Sequence, residues 1–138
     1  MRLVIDTNVL ISALLSAGRV PSVVLTMIRE RRDVVLYDAR ILAEYRSVLA
    51  RPKFESIPAG RSEAMVLALI EVGQDLGEVE AWSGAMTDDD DRMFVEVAIA
   101  GKADVLLTGN TKHYPRDAGF DVMGPTALLG VLEAQAIG

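Results

Sequence analysis

Cysteine is absent from the 138 residues, and histidine occurs once, at His113. The first absence excludes disulfides and thiolate-held metals, and the second excludes any site built on two imidazoles. No uninterrupted apolar run approaches the roughly 18 residues that a membrane-spanning helix requires. The opening residues lead into a strand-like run rather than a basic stretch and apolar core of a signal peptide. A soluble, cytoplasmic protein with no membrane partner is the expectation. Phosphate loops of the forms G-x-x-x-x-G-K-[ST] and G-x-G-x-x-G are missing, as is G-x-S-x-G, so phosphate-loop nucleotide binding and Ser-His-Asp hydrolysis lack support. His113 reads as a turn or surface residue.

Excess positive charge is also lacking. A net charge of −6 and a pI near 4.7 argue against non-specific adhesion to nucleic acid, whose phosphates are held mainly by Lys and Arg. They argue less against a nuclease, because carboxylates gathered to hold divalent cations make a protein acidic until metal binds. The cations present are unevenly spread: Arg29, Arg31, Arg32, Arg40, Arg46, Arg51 and Lys53 fall in one stretch. With 51% hydrophobic residues, the chain suits one globular domain over 1–138.

Apolar runs alternate with helix-length segments. Residues 2–6, Val34–Tyr37, Ala103–Thr108 and a short Asp121–Met123 read as strands, with Glu78–Trp82 as a weaker, half-exposed one. Helices are expected from Asn8 to Leu15, from Ser22 behind Pro21, from Asp38 to about Ala50, from Arg61 to Val72, from Thr87 or Asp88 to Gly101, and after Pro125. This alternation predicts an α/β fold, a three-layer α/β/α sandwich around a mainly parallel sheet. In such sheets ligands bind beyond the carboxyl ends of the strands, where Asp6 falls.

Asp6 alone has a simpler explanation, as a cap closing onto backbone N–H groups ahead of a helix. The run Asp88–Asp91 exceeds the needs of capping. At helical spacing, Asp91 projects with Phe94, Val95 and Ala98 toward the core, whereas Asp90 points away. Glu44 lies at the edge of the apolar arc of Ile41, Leu42, Tyr45, Val48 and Leu49; an ion pair with Arg40 one turn earlier is the alternative. Thr108 and Asn110 follow a buried strand at the same edge, with Gly109 permitting a sharp turn. Together these form an oxygen-rich cluster suited to hard cations, Mg²⁺ or Mn²⁺. Such a cation activates water and offsets charge on a phosphodiester, so metal-dependent phosphodiester hydrolysis is favoured.

Two other chemistries compete. In phosphoaspartate hydrolysis Asp6 would be the nucleophile, with Thr108 and Lys112 binding phosphate, but the second Asp such enzymes carry two residues later is Asn8 here. In a non-catalytic interaction module the acidic rim would attract a basic partner segment.

The segments VIDTNVLIS, LAEYRSVLARPKF, DDDDRMFVEVA and ADVLLTGNTKHYP, in this order and spacing, resemble the PIN-domain ribonucleases. They look most like small bacterial and archaeal members described as toxins of toxin–antitoxin pairs. The resemblance spans about residues 2 to 130. It implies Mg²⁺- or Mn²⁺-dependent endoribonuclease activity on RNA, a homodimer, and a cognate antitoxin. Asp6, Glu44 and Asp91 match the first three acids of the family, with Asp90 as an alternative to Asp91. Thr7 and Asn8 match the polar pair after the first acid and, with Thr108, are candidates for positioning substrate. The fourth acidic position falls at Asn110, which retains a carbonyl ligand but removes a charge. Arg40, Arg46, Arg51 and Lys53 are candidates for RNA contact, and the helices at 8–31 and 61–72 for a dimer face.

Overall fold

In the computed structural model, which describes residues 1–137, strands β1 (Arg2–Ile5), β2 (Val34–Tyr37), β3 (Gly73–Asp75), β4 (Val105–Leu107) and β5 (Asp121–Met123) form one sheet in the order β3-β2-β1-β4-β5. All four pairings are parallel. Leu3, Val4 and Ile5 are all fully buried, although successive strand side chains point to opposite faces. Both faces of the sheet are therefore covered, as a parallel sheet requires. The cover is supplied by α1 (Thr7–Leu15), α2 (Val20–Arg31), α3 (Ala39–Leu49), α4 (Ala59–Glu71), α5 (Arg92–Ala100) and α6 (Pro125–Ile137). The result is the α/β/α sandwich expected from the alternation of elements. Among the described residues no single helix is long and apolar enough to cross a membrane.

Local chemistry starts the helices where the sequence marks them. Asp6 and Asp38 each end a strand and cap the next helix, accepting from Asn8 N–H and Ile41 N–H respectively. Pro21 occupies the first turn of α2, where its missing N–H costs nothing. Helix α4 begins at Ala59, two residues before the expected Arg61, because Pro58 takes the cap position. At the core, the Tyr45 and Phe94 rings stack with centroids 6.5 Å apart, tying α3 to α5.

One expected strand is corrected. Glu78–Trp82 is coil, and the strand beside β2 is instead Gly73–Asp75, paired from Val35↔Gly73 to Tyr37↔Asp75. Glu78–Trp82 has the better strand composition, but β2 is already occupied by the residues that leave α4 directly beside it. The coil is held by side chains: the Glu96 carboxylate accepts Trp82 N–H at 2.9 Å, and Arg92 donates to Trp82 O and Gly84 O. The suggested Arg40–Glu44 pair also gives way. Arg40 donates to Asp38 at 2.8 Å and to Glu96 at 2.7 Å.

A candidate metal centre at the carboxyl edge of the sheet

β1 ends with Asp6 N–H donating to Leu107 O, and β4 ends with Thr108 N–H donating to Met123 O. Asp6 and Thr108 therefore stand side by side where the two central strands stop. Asp6 is buried, and its carboxylate accepts from Thr108 Oγ1 and from the Tyr114 hydroxyl, each at 2.8 Å, and more distantly from Asn8. Asn8 also accepts Gly109 N–H at 3.1 Å, fastening the start of α1 to the turn after β4. The capping role of Asp6 and its place in the cluster are therefore compatible: the α1 N-terminus orients the same carboxylate that faces the other acids.

Asp91 ends the 3₁₀ turn Asp89–Asp91, whose cap Asp88 accepts Asp90 N–H at 3.0 Å. Asp91 is half-buried while Asp90 is exposed, the contrast expected, although both lie in the 3₁₀ turn and α5 begins at Arg92 rather than at the expected Thr87 or Asp88. Burial, followed by the charges of Asp6, Asp88 and Glu44, pushes the Asp91 carboxyl up to about 6, with His113 acting weakly in the opposite direction. The charges of Asp6, beyond β1, and of Glu44, on α3, thus reach Asp91 at the entry to α5. Among the described residues, none of Asp6, Glu44, Asp88 and Asp91 forms an ion pair with Lys or Arg.

Such crowding without a counter-charge, from oxygen donors alone, fits a hard divalent cation. Among the described residues no three acidic or histidine side chains stand close enough together to hold a metal ion by themselves. Water would complete the coordination, as Mg²⁺ commonly requires. Asn110 is exposed just beyond Thr108; its N–H donates to Thr108 Oγ1 at 3.0 Å, and its side chain caps no helix. Thr7 is buried, and its hydroxyl has no hydrogen-bond partner among the described residues.

The basic candidates are less concentrated. Arg40 is committed to Asp38 and Glu96, and Arg46 to exposed Glu63. Arg51 and Lys53 are exposed, with the Lys53 ammonium 5.1 Å from the Phe54 ring centre. Arg46, Arg51 and Phe54 line a cleft of about 620 Å³ between the end of α3 and the start of α4, a cleft whose walls include neither Asp6 nor Asp91.

Sequence reasoning missed Tyr114. A tyrosine just past a strand-end turn, between His113 and Pro115, looks exposed, yet it is buried, and a buried phenol needs a hydrogen-bond partner. Glu96 was missed likewise: it is buried on α5, and hydrogen bonds from Arg40 and Trp82 N–H outweigh its burial to hold its carboxyl below the ordinary range.

The Asp91 shift sets a pH dependence. Its carboxyl is ordinarily near 3.8 and here near 6, so between those values the folded protein binds more protons than the unfolded chain. This group's contribution to stability therefore falls as pH rises through that window. Subtracting the melting curve of Asp91→Asn from that of the metal-free wild type should isolate the fall. Mg²⁺ should raise the wild-type melting temperature more at pH 7 than at pH 5, since at pH 5 the cation must displace a proton. An equal effect of Mg²⁺ at both pH values would contradict this placement of Asp91.

Comparison with known proteins agrees with the fold. An uncharacterised protein of Methanocaldococcus jannaschii is 28% identical over 113 residues, covering 80% of this chain and 71% of the relative. The crystal structure of VapBC2 from Rickettsia felis, bound to a DNA fragment from its promoter, contains a chain that matches with a TM-score of 0.61 at 15% identity. That match covers 90% of this chain and 98% of the other, and at such identity it speaks for the fold. The model of the PIN domain family matches residues 2–112, a span that contains β1 through β4 with Asp6, Glu44, Asp91, Thr108 and Asn110, and the chain belongs to the PIN domain family.

Proposed function

We propose that the chain is an endoribonuclease that hydrolyses RNA phosphodiester bonds using Mg²⁺ or Mn²⁺, and that it acts as the toxin of a toxin–antitoxin pair in the cytoplasm. The observation that carries this reading is that the charges of Asp6 and Glu44 help raise the half-buried Asp91 carboxyl, while among the described residues none of the three pairs with a cation. Asp6, Glu44 and Asp91 would hold the cation, with Asn110 lending a carbonyl and Asp90 in reserve. When bound, the cation lowers the pKa of a water and offsets the charge that builds on the phosphate.

The chain's own groups do the rest. Asp91 gives up its proton to become a ligand. The Thr108 and Tyr114 hydroxyls orient Asp6, and Thr7 and Asn8 at the α1 N-terminus offer polar contacts beside the scissile group. Arg51 and Lys53, which form no ion pair among the described residues, steer the RNA backbone, with Arg46 and Arg40 at the margin of that path.

The fold likeness to a chain of VapBC2 supports an antitoxin as partner. Exposed Leu15, Val23 and Leu67, on α1, α2 and α4, support a homodimer face. A second reading, a PIN fold kept for binding a partner without catalysis, is favoured by the lack of a closed three-acid cage.

Incubation with single-stranded cellular RNA separates the two. The nuclease cuts with Mn²⁺ and stops when chelator is added. Intact RNA after treatment with folded protein that has been freed of any partner and loaded with Mn²⁺ would leave the binding module as the reading.

A further inference from the structure

The two oxygens of Asp6 stand in different surroundings. Oδ2 accepts from Thr108 Oγ1 at 2.8 Å, from the Tyr114 hydroxyl at 2.8 Å, and from Asn8 Nδ2 at 3.4 Å. Oδ1 accepts only the long cap bond from Asn8 N–H, 3.4 Å, among the described residues. A carboxylate oxygen has about two lone-pair sites, so Oδ2 is filled by protein donors and Oδ1 is left for something else.

The donors are themselves constrained. Thr108 is fully buried, and its Oγ1 receives Asn110 N–H at 3.0 Å, so its own proton is directed to Asp6. Tyr114 is 4% exposed, and its hydroxyl is spent on Asp6. The other tyrosine buried nearby, Tyr45, gives its hydroxyl to the Ile5 carbonyl instead.

We propose that Tyr114 is a positioning residue: together with Thr108 it pins Asp6 Oδ2, so that Asp6 offers Oδ1 alone to the divalent cation. This rests on the metal-nuclease reading given above. A carboxylate free to rotate presents either oxygen or both, whereas Mg²⁺ demands near-ideal octahedral geometry and rewards a ligand already in place. The segment after Asn110, where the chain lacks a fourth acid, then contributes a hydroxyl that orients the first acid. Loss of a group that orients a metal ligand typically lowers metal affinity or activity about 10- to 100-fold.

The test is the Mn²⁺ affinity of Tyr114→Phe, read by paramagnetic resonance, alongside kcat and KM for RNA. Binding weaker by about tenfold or more, with kcat reduced and KM for RNA unchanged, is the expected result. Tyr45→Phe is the control, because it removes a buried tyrosine hydroxyl bound to backbone and should bind Mn²⁺ as the wild type does. Thr108→Val should weaken Mn²⁺ in the same direction and carries the test if Tyr114→Phe does not fold. Wild-type Mn²⁺ affinity and kcat in Tyr114→Phe, or equal weakening by Tyr45→Phe, overturns the proposal. Absence of Mn²⁺ binding by the wild type itself would overturn the metal reading, and the role of Tyr114 with it.

Discussion

Asp6→Asn is expected to fold, to melt no lower than the wild type without metal, and to lose both Mn²⁺ binding and RNA cleavage. The shape of the side chain is kept, and its remaining oxygen still accepts from Thr108 and Tyr114, so the buried hydroxyls keep a partner and only the long 3.4 Å cap bond from Asn8 N–H is lost to the new NH₂. What disappears is a negative charge that raises the Asp91 carboxyl. Relieving that repulsion offsets the weaker hydrogen bonds to a neutral acceptor, which are worth about half those to a charged one. The proposed metal site, in contrast, loses a direct ligand. Since losing only an orienting neighbour costs about 10- to 100-fold, cleavage should fall by more than about 100-fold. The Asp91 carboxyl should at the same time move down from about 6 toward its ordinary value, which a side-chain NMR titration would follow. Full cleavage by this variant removes Asp6 from the mechanism.

Glu96→Ala is the converse case, with a large effect on stability and none on the chemistry. Glu96 is 6% exposed and receives Arg40 Nη1 at 2.7 Å and Trp82 N–H at 2.9 Å, linking α5 to the start of α3 and to the coil before Asp88. Alanine leaves a backbone N–H without its acceptor and a guanidinium with one carboxylate fewer. Arg40 is 48% exposed, so water replaces part of that loss. Breaking a buried pair costs about 3–5 kcal/mol and orphaning a polar group about 1–3, so about 2–3 kcal/mol is expected with one partner half in water. For a domain of this size that corresponds to a fall in melting temperature of roughly 10 °C.

Because the Glu96 carboxyl is held below its ordinary range, its stabilisation is present at neutral pH and is lost as the pH falls through the folded-state value. The difference between wild-type and Glu96→Ala stability should therefore shrink in acid. Glu96→Gln, which can still accept Trp82 N–H, should recover part of the loss. Mn²⁺ affinity at low temperature should stay at the wild-type value, and a parallel fall in affinity would mean that Glu96 acts on the metal centre.

The contrast between these residues explains what the sequence made legible. β1, β2 and the caps Asp6 and Asp38 were legible because their signals are local: an apolar run, an acid, then helix-forming residues. β3 was not. Gly73, Gln74 and Asp75 have little strand preference, and only the register against Val35–Tyr37 makes them a strand. Glu78–Trp82 has the preference without the neighbour, so composition misled where pairing decides. Glu96 is invisible to local pattern because its partner Arg40 lies 56 residues earlier. The approach of Asp6 to Thr108 could be anticipated, since both end adjacent central strands. The approach of Tyr114 could not, because it depends on how the loop after Thr111–His113 folds back over the sheet edge.

The proposal that Asp6, Glu44 and Asp91 together bind a divalent cation rests on the raised carboxyl of Asp91. Its most direct test is the anomalous scattering of Mn²⁺ in crystals of the protein grown with the metal. The expected result is a peak at the carboxyl edge of β1 and β4, with Asp6 contributing Oδ1, accompanied by Glu44 or Asp91 and by water. A peak elsewhere, or none beside Asp6 at Mn²⁺ concentrations that support cleavage, would contradict it.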